Sequence, residues 1–346
     1  MRRLLYICIL VLSAMSMMAE NYASNARAEQ VERTMVITYD LSKTANVRLL
    51  VATNMSNDFK VVKKVTGAVG KNVQAGANRQ ITWNVLEEYD RFVADGVRFK
   101  VETYGAEGIV VFSVSSSKKV TFSPGNLQYH PANKLWRFAP SQTDYIGKAN
   151  SKNSSSYSAW IDLFGWSTRA TQFGVSTSTN SSVYSGSFVD WGTTKIGNDA
   201  PNTWRTLTYK EWGYLLNNRP NASSLKGVAQ VNGVNGLILL PDNWTCPSGV
   251  SFKSGFHSYR GEDCYAYQTF TVEQWSKLEV AGAVFLPASG DRNGSTVDYV
   301  RFLGNYWSAT EYDSINAYCL YSLSDQADMS FASRYRGLSV RLVKDL

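Results

Sequence analysis

The sequence has few of the residues on which most enzyme centres depend. Its 346 residues include two histidines, His130 and His257, and no pair of cysteines in a C-x-x-C spacing. Zinc and thioredoxin-type sites need such closely spaced ligands, so neither is indicated. No glycine-rich phosphate loop, G-x-S-x-G or H-E-x-x-H motif occurs. We therefore expect a protein that is not an enzyme and that has no cofactor and no metal.

Positive charge is scattered rather than clustered. Of the 35 Lys and Arg, two lie in the N-terminal segment discussed next, which leaves 33 against 28 Asp and Glu, a net charge of +5. Lys63-Lys64 and Lys118-Lys119 are the adjacent basic pairs after that segment. Nucleic-acid binding requires a clustered basic face, so we exclude a nucleic-acid partner.

An export signal is the first feature that is present. Arg2 and Arg3 precede Leu4–Met18, an unbroken run of apolar and small residues, and small residues suited to cleavage follow within 19–28. This run and every later one are shorter than the ~20 apolar residues that span a bilayer, so we expect no transmembrane segment in the mature chain. We predict a signal peptide in 1–28 and an exported protein that is extracellular, on the cell surface or in the periplasm.

The cleavage site has two candidates. Ala26-Arg27-Ala28 fits the A-x-A rule, whereas Ala19 is closer to the apolar run. Cys8 follows two large residues where a lipoprotein signal has small ones, so lipidation of Cys8 is not expected. Three cysteines remain after cleavage: Cys246, Cys264 and Cys319. In an oxidising compartment these allow one disulfide and one free thiol, with the pairing open.

Length and a change in composition indicate two domains, 29–107 and 108–346. In the first, residues 97–102 alternate apolar and charged side chains, as a strand with one buried face does. Similar runs are Met35–Tyr39, Val47–Thr53, Phe59–Val65 and Arg79–Val85. These strands predict a small all-β immunoglobulin-like sandwich with Trp83 as a core anchor. Such a module, without a polar constellation, is most simply a spacer or stalk.

The second domain is rich in tryptophan and has long loops. Nine of the ten tryptophans lie in it, so many large rings must be packed. Residues 150–187 are rich in Ser, Thr, Asn and Gly and are interrupted by the apolar island Trp160–Trp166. Long irregular stretches in a compact domain are usually functional or disordered.

Two helices with matching starts are predicted in this domain. Thr208–Glu211 and Thr271–Gln274 are capping boxes, in which side chains satisfy free N–H groups of the first turn. Apolar residues follow at helical spacing: Tyr209, Trp212, Leu215 and Leu216 in the first helix, and Val272, Trp275 and Leu278 in the second. Asn217-Asn218 should end the first helix and Gly282 the second.

Antiparallel strands are expected around these helices. Asn232-Gly233 and Asn235-Gly236 are type I′ hairpin signals. Leu237–Leu240 and Ala283–Leu286 read as buried strands, and the alternating run Ser339–Val343 should close the sheet at the C-terminus. Two helices, antiparallel strands and long loops describe an α+β domain.

Spaced motifs across 113–346 resemble a known family. The motifs are Asn126–Gln128, Trp136–Ala139, Trp160–Trp166, Trp204–Thr208, Leu240–Trp244, Gly282–Ala288, Tyr306–Ser308 and Gly337–Val343. They are similar to those of exported Bacteroidetes-type proteins related to the Fibrobacter-type major paralogous domain. Those proteins resemble the C-type-lectin-like fold of formylglycine-generating enzymes and of variable proteins of diversity-generating retroelements. The resemblance implies a C-type-lectin-like fold for 108–346.

The segment 305–335 carries the strongest functional signal. It contains five tyrosines and six serines, and no lysine occurs from Leu278 to Val343. Binding surfaces use Tyr for rigid contact area and Ser or Asn for adaptable hydrogen bonds, and they are depleted in Lys. By analogy with retroelement-diversified proteins, this segment is a candidate for diversification, and the expected ligand contacts are Tyr312, Asp313, Ser314, Asn316, Tyr318, Tyr321, Ser324, Asp325, Asp328, Ser330, Phe331 and Tyr335.

Calcium-dependent sugar binding and glycoside hydrolysis have less support. The Glu-Pro-Asn, Gln-Pro-Asp and Trp-Asn-Asp tripeptides of calcium-dependent lectins do not occur, and Asp291–Ser295 reads as a polar turn. A glycosidase needs two converging carboxylates. Glu262-Asp263, and Glu311 with Asp313, are the available pairs.

Three functions follow as hypotheses. The first is a secreted or cell-surface protein of adhesin or receptor type, which contacts an unknown protein or glycan ligand through the Tyr/Ser-rich face. The second is a structural or tip subunit of a surface fibre, in which that face packs on a sister protein. The third is a carbohydrate-active enzyme.

Overall fold

The structure, a computed structural model, describes residues 7–9, 22–42, 44–53, 59–89, 92, 94–104 and 110–346. The chain forms two units, Met1–Ile109 and Val110–Leu346. Strands predominate and helices are few, so the fold is α+β with mostly β structure. Within the described residues, no helix is long and apolar enough to cross a membrane. Of the predicted signal peptide, 1–6 and 10–21 lie outside the described residues.

The first unit is built from two β-sheets. Its strands are β1 (Ile7–Ile9), β2 (Ala23–Val31), β3 (Thr34–Leu41), β4 (Ala45–Ala52), β5 (Lys60–Val61), β6 (Val65–Gly67), β7 (Gly70–Val73), β8 (Gly76–Trp83) and β9 (Ala94–Tyr104), and α1 (Val85–Glu88) follows β8. One sheet has the order β2-β3-β8-β6. The other has the order β1-β9-β4-β5, with β7 also paired to β4.

Alternate side chains of both sheets fill one core, which makes this unit a sandwich. Trp83 is fully buried there, and its indole N–H donates to Glu88 at 3.0 Å. Trp83 is thus confirmed as a core anchor. The run Phe59–Val65, expected to be one strand, is divided into β5 and β6. The chain turns between them because the backbone N–H groups of Lys63 and Lys64 donate to the Glu88 carboxylate.

The second unit has fourteen strands within the described residues: β10 (Phe112–Ser113), β11 (Lys119–Phe122), β12 (Leu127–His130), β13 (Leu135–Phe138), β14 (Lys226–Val231), β15 (Val234–Leu239), β16 (Thr269–Phe270), β17 (Val284–Pro287), β18 (Asp291–Asn293), β19 (Thr296–Asp298), β20 (Gly304–Glu311), β21 (Asn316–Ser322), β22 (Ala327–Ser333) and β23 (Val343–Asp345). They form a four-stranded sheet, β16-β14-β15-β17, two three-stranded sheets, β10-β11-β23 and β20-β21-β22, and the hairpins β12-β13 and β18-β19.

The end of the chain returns to the start of the second unit. β11 and β23 are antiparallel, with Val120 opposite Asp345 and Phe122 opposite Val343. The expected closing strand Ser339–Val343 is therefore placed too early. Its first part makes single bridges instead, such as Ser339 with Tyr306, because it runs beside several short segments rather than along one strand.

Both predicted helices are present and begin at complete capping boxes. In α2 (Tyr209–Gly213) the Thr208 side chain accepts from the Glu211 N–H, and in α3 (Val272–Val280) Thr271 accepts from the Gln274 N–H. A π-helical turn, Tyr214–Asn218, extends α2 to the predicted end. In α3, Trp275 and Leu278 enter the core, whereas Val272 is exposed. Val272 was expected in the buried stripe, but the first turn of the helix projects beyond the core.

One of the two expected hairpin turns is confirmed. Asn232 and Gly233 have φ of 47° and 77° and join β14 to β15, as a type I′ turn requires. The turn expected at Asn235-Gly236 is wrong, because both residues lie inside β15. A Cβ at Gly236 would come within 2.5 Å of the Leu286 carbonyl oxygen, so this glycine allows two strands to approach closely.

The irregular segment 150–187 surrounds a buried apolar island, as expected. Ile161, Leu163 and Phe164 are fully buried, and so is Asp162. The Asn150 amide donates to the Asp162 carboxylate at 2.8 Å, and the Ile146 N–H donates to it at 2.8 Å. Burial raises the pKa of Asp162 to about 6, against the opposing effect of these hydrogen bonds.

Candidate functional site

The Tyr/Ser-rich segment forms the antiparallel sheet β20-β21-β22. β21 and β22 pair without a bulge, with Tyr318 opposite Phe331 and Tyr321 opposite Asp328. Successive side chains of a strand point to opposite faces. Tyr318 and Phe331 therefore lie on one face of the sheet, and Tyr321 and Asp328 lie on the other.

Four aromatic rings meet on the first face. Tyr312 is stacked on Phe331, with ring centroids 4.3 Å apart and planes 4° apart, and it meets Tyr318 edge-on at 5.1 Å. Tyr209 lies against Tyr318 at 4.0 Å. Tyr312 and Phe331 are 47% and 51% exposed. We call these four residues the aromatic patch.

Tyr209 reaches this patch from a distant part of the sequence. It is the first residue of α2, and its backbone N–H donates to the Thr310 hydroxyl of β20 at 3.0 Å. Farther along the helix, Trp212 and Leu216 pack in the core with Leu320 of β21. The sequence assigned Tyr209 to the apolar stripe of its helix and gave no sign that it meets Tyr318.

The turn between β20 and β21 is held by its own polar side chains. One carboxylate oxygen of Asp313 accepts from the backbone N–H groups of Ile315 and Asn316, at 2.8 and 2.7 Å. The Asn316 amide also donates to Asp313, and these bonds lower the pKa of the Asp313 carboxyl group. Asp313 and Asn316, both predicted contacts, thus shape the turn that carries Tyr312, while Ser314 lies exposed at its tip.

A buried guanidinium fixes this turn from beneath. Arg334 is 2% exposed and lies over the Trp166 ring, 4.4 Å from its centroid. It donates to the carbonyl oxygens of Asp313 and Asn316, at 2.5 and 3.3 Å, and to the carboxylate of Glu311 at 3.1 Å. Arg334 thus bonds both ends of the turn that carries Tyr312.

The remaining predicted contacts lie elsewhere. Ser324 is buried, and its hydroxyl bonds to the backbone of Gly261 and Tyr259. It is therefore not exposed to a ligand, contrary to the expectation. Several others lie away from the patch. Asp325 forms an ion pair with Arg260, and the Asp328 carboxylate accepts a hydrogen bond from the Asn217 amide. Tyr321 and Ser330 lie on the opposite face of the sheet, and Tyr335 follows β22. The twelve residues therefore do not form one surface.

The structure also locates the groups considered for chemistry. Asp291–Ser295 lies in the β18-β19 hairpin, and within the described part of the chain no three His, Cys, Asp or Glu side chains are grouped as metal ligands would be. Glu262 lies 3.8 Å from Arg301, whereas Glu311 lies against Arg334, so these carboxylates belong to separate ion pairs. A shallow cleft of about 450 Å³ beside Glu262 is lined by Asp298, Tyr299 and Phe302.

All three remaining cysteines are unpaired in this structure, so the disulfide considered from the sequence is not formed. Cys319 is buried on β21, and burial raises the pKa of its thiol to about 12. A thiol with such a pKa is a poor nucleophile at neutral pH.

Comparisons with protein-family models, curated proteins and solved structures found no match to this chain. The family resemblance of 113–346 therefore stays a prediction from its motifs.

Proposed function

We propose that this chain is an exported ligand-binding protein of adhesin or receptor type, and that the aromatic patch is its contact surface. The observation that carries the proposal is the stack of Tyr312 on Phe331, half exposed and continued by Tyr318 and Tyr209. Exposed aromatic clusters held on rigid elements are typical of recognition surfaces, because a ligand buries large area at little entropic cost.

The position of the patch supports this proposal. Tyr318 and Phe331 lie on strands, Tyr209 lies at a helix end, and Arg334 holds the turn that carries Tyr312. Preorganised side chains lose little conformational entropy on binding. The ligand is a protein or a glycan, since both can cover tyrosine rings and bond to the polar groups around them.

The C-type-lectin-like fold is part of the same proposal. The motifs of 113–346, the two capped helices, the long irregular segment and the pairing of β11 with β23 support it. For the first unit, we propose an immunoglobulin-like spacer, supported by two sheets that share one core. Export is supported by Arg2, Arg3 and the apolar run after them. A near-repeat of the region coding for 305–335, beside a reverse transcriptase gene, would establish diversification by a retroelement.

The experiment is alanine substitution of Tyr312 and Tyr318 in the purified protein. The probes are an array of defined glycans and an array of purified extracellular proteins. We expect binding to weaken by about tenfold or more in both variants, as for central aromatic contacts of an interface. Tyr299→Ala and Tyr321→Ala are matched controls, since Tyr299 is exposed outside the patch and Tyr321 lies on the opposite face.

The outcome distinguishes the alternatives. Equal losses in all four variants, or none in the patch variants with the fold intact, would reject the patch as the contact surface. Hydrolysis of a glycan that depends on Glu262 or Glu311 would favour a carbohydrate-active enzyme. Assembly of fibres that Tyr312→Ala abolishes would favour the structural subunit.

A further inference from the structure

The strand β22 is an open edge of its sheet. In the described part of the chain, no strand pairs with the side of β22 that faces away from β21. The backbone N–H and C=O groups of alternate residues therefore face outward. Such an edge is a template for pairing with another chain.

This edge lacks the features that usually prevent pairing. Residues 327–333 contain no proline and no lysine or arginine, and the strand pairs with β21 in unbroken register over all seven residues. Two outer strands of the first unit do have features that prevent pairing. β2 carries the charged residues Arg27 and Glu29, and β5 is only two residues long and begins with Lys60.

The one charged residue of β22 does not block the edge. The Asp328 carboxylate accepts from the Asn217 amide at 3.2 Å and from the backbone N–H of Met329 at 2.8 Å. A second strand would offer the Met329 N–H a carbonyl oxygen in place of this local bond, and the bond from Asn217 would keep the carboxylate paired.

The side chains of β22 are complementary to a second copy of the same strand. If two copies pair antiparallel about a two-fold axis at Ser330, Met329 of each copy lies opposite Phe331 of the other. Both residues lie on the face of the aromatic patch, and Phe331 is 51% exposed in the single chain. The same register places each Asp328 opposite Ala332, so the two carboxylates are kept apart.

We propose that β22 is a homodimer interface, in which two copies pair edge to edge and form one six-stranded sheet. The pairing buries Phe331 and joins the two aromatic patches into one continuous surface. This inference is independent of the identity of any ligand, because its evidence is the backbone edge and the register.

Cysteine crosslinking tests the register directly. In a background of Cys246→Ser, Cys264→Ser and Cys319→Ala, the native thiols after the signal segment are removed, including Cys319, which lies opposite Ser330 on β21. In this background, Ser330→Cys places two cysteines opposite each other across the axis. Opposed residues in antiparallel strands have Cα atoms about 4.5–5.5 Å apart, within the range of a disulfide. Ser333→Cys is the matched control in the same strand, since its two copies would lie about 20 Å apart at about 3.3 Å per residue.

We expect mild oxidation of the purified protein to give a covalent dimer with Ser330→Cys and none with Ser333→Cys. Sedimentation of the unaltered protein should show a concentration-dependent dimer, and Phe331→Lys should weaken it by about tenfold or more. Tyr318→Ala removes a patch ring away from the edge and should leave the dimer intact, which separates this proposal from ligand binding. A protein that sediments as a monomer, or equal crosslinking by both cysteine variants, would overturn the proposal.

Discussion

The ring of Tyr312 lies parallel to the ring of Phe331, 4.3 Å away, and thereby joins the turn after β20 to the edge strand β22. The two residues are neither neighbours along the chain nor opposite each other in a strand pair. The contact exists because the turn folds back over the sheet. The Asp313 carboxylate accepts a hydrogen bond from the backbone N–H of Asn316 in this turn, and Arg334 donates to the Asp313 carbonyl oxygen. The surface that we propose for binding is therefore a property of the turn as much as of the strands.

Replacing Arg334 should loosen this turn. Arg334→Met removes hydrogen bonds to the carbonyl oxygens of Asp313 and Asn316 from a buried site, and we expect the free energy of unfolding to fall by about 2–3 kcal/mol. Urea denaturation measures this change. Arg169→Met, at an exposed position, is the control and should change stability by less than about 0.5 kcal/mol. Similar values for both variants would show that Arg334 does not hold the turn.

The buried Asp162 should make stability depend on pH. Its pKa is raised from 3.8 to about 6 by burial, so the folded state favours the protonated carboxyl group. The protonated carboxyl group of Asp162 stabilises the folded state, and this stabilisation is fully present below pH 3.8 and is lost as the pH rises through 6. The free energy of unfolding should fall by about 3 kcal/mol in total over this range. Asp162→Asn cannot titrate, so its unfolding free energy relative to the unaltered protein should rise between about pH 4 and pH 7.

Urea titrations at four pH values across that interval measure the difference. Asp298→Asn, which alters an exposed carboxylate, controls for the change in overall charge. A constant difference between Asp162→Asn and the unaltered protein across this range would show that Asp162 is ionised equally in both states.

If the protein is exported as we propose, the N-terminus of the mature chain should precede Ala23. The strand β2 begins at Ala23, and residues 27–31 pair with β3 in continuous register. Cleavage after Ala28 would remove most of this strand and its pairing with β3, so the structure favours the site near Ala19. N-terminal sequencing of the secreted protein tests this expectation, and a mature chain that starts at Glu29 would contradict it.

Two glycines provide a pair of opposite predictions. Gly213 has helical φ and ψ of −60° and −41°, and nothing lies within 4 Å of the place that a Cβ would take. Gly213→Ala should therefore stabilise the protein by about 0.4–1 kcal/mol. At Gly192 a Cβ would lie 1.7 Å from the Trp204 carbonyl oxygen, so Gly192→Ala should destabilise it strongly. Thermal unfolding of the two variants, measured side by side, checks both signs.

Local sequence signals predicted the elements that depend on neighbouring residues. Both capping boxes, the Asn232-Gly233 turn and the alternating strands of the first unit were predicted from a few adjacent residues each. The failures have a different cause. Asn235-Gly236 has the composition of a turn, yet Gly236 lies within a strand and is needed for close contact with β17, which comes much later in the chain.

Composition was enough to show that 305–335 is rich in Tyr and Ser, because composition is a local property of the chain. Which of those residues share a surface depends on long-range packing. The pairing of β21 with β22 brought Phe331 beside Tyr318, burial removed Ser324, and the packing of α2 brought Tyr209 to the patch. Contacts between residues so far apart in the chain arise from the packing of whole elements, and no short motif records them.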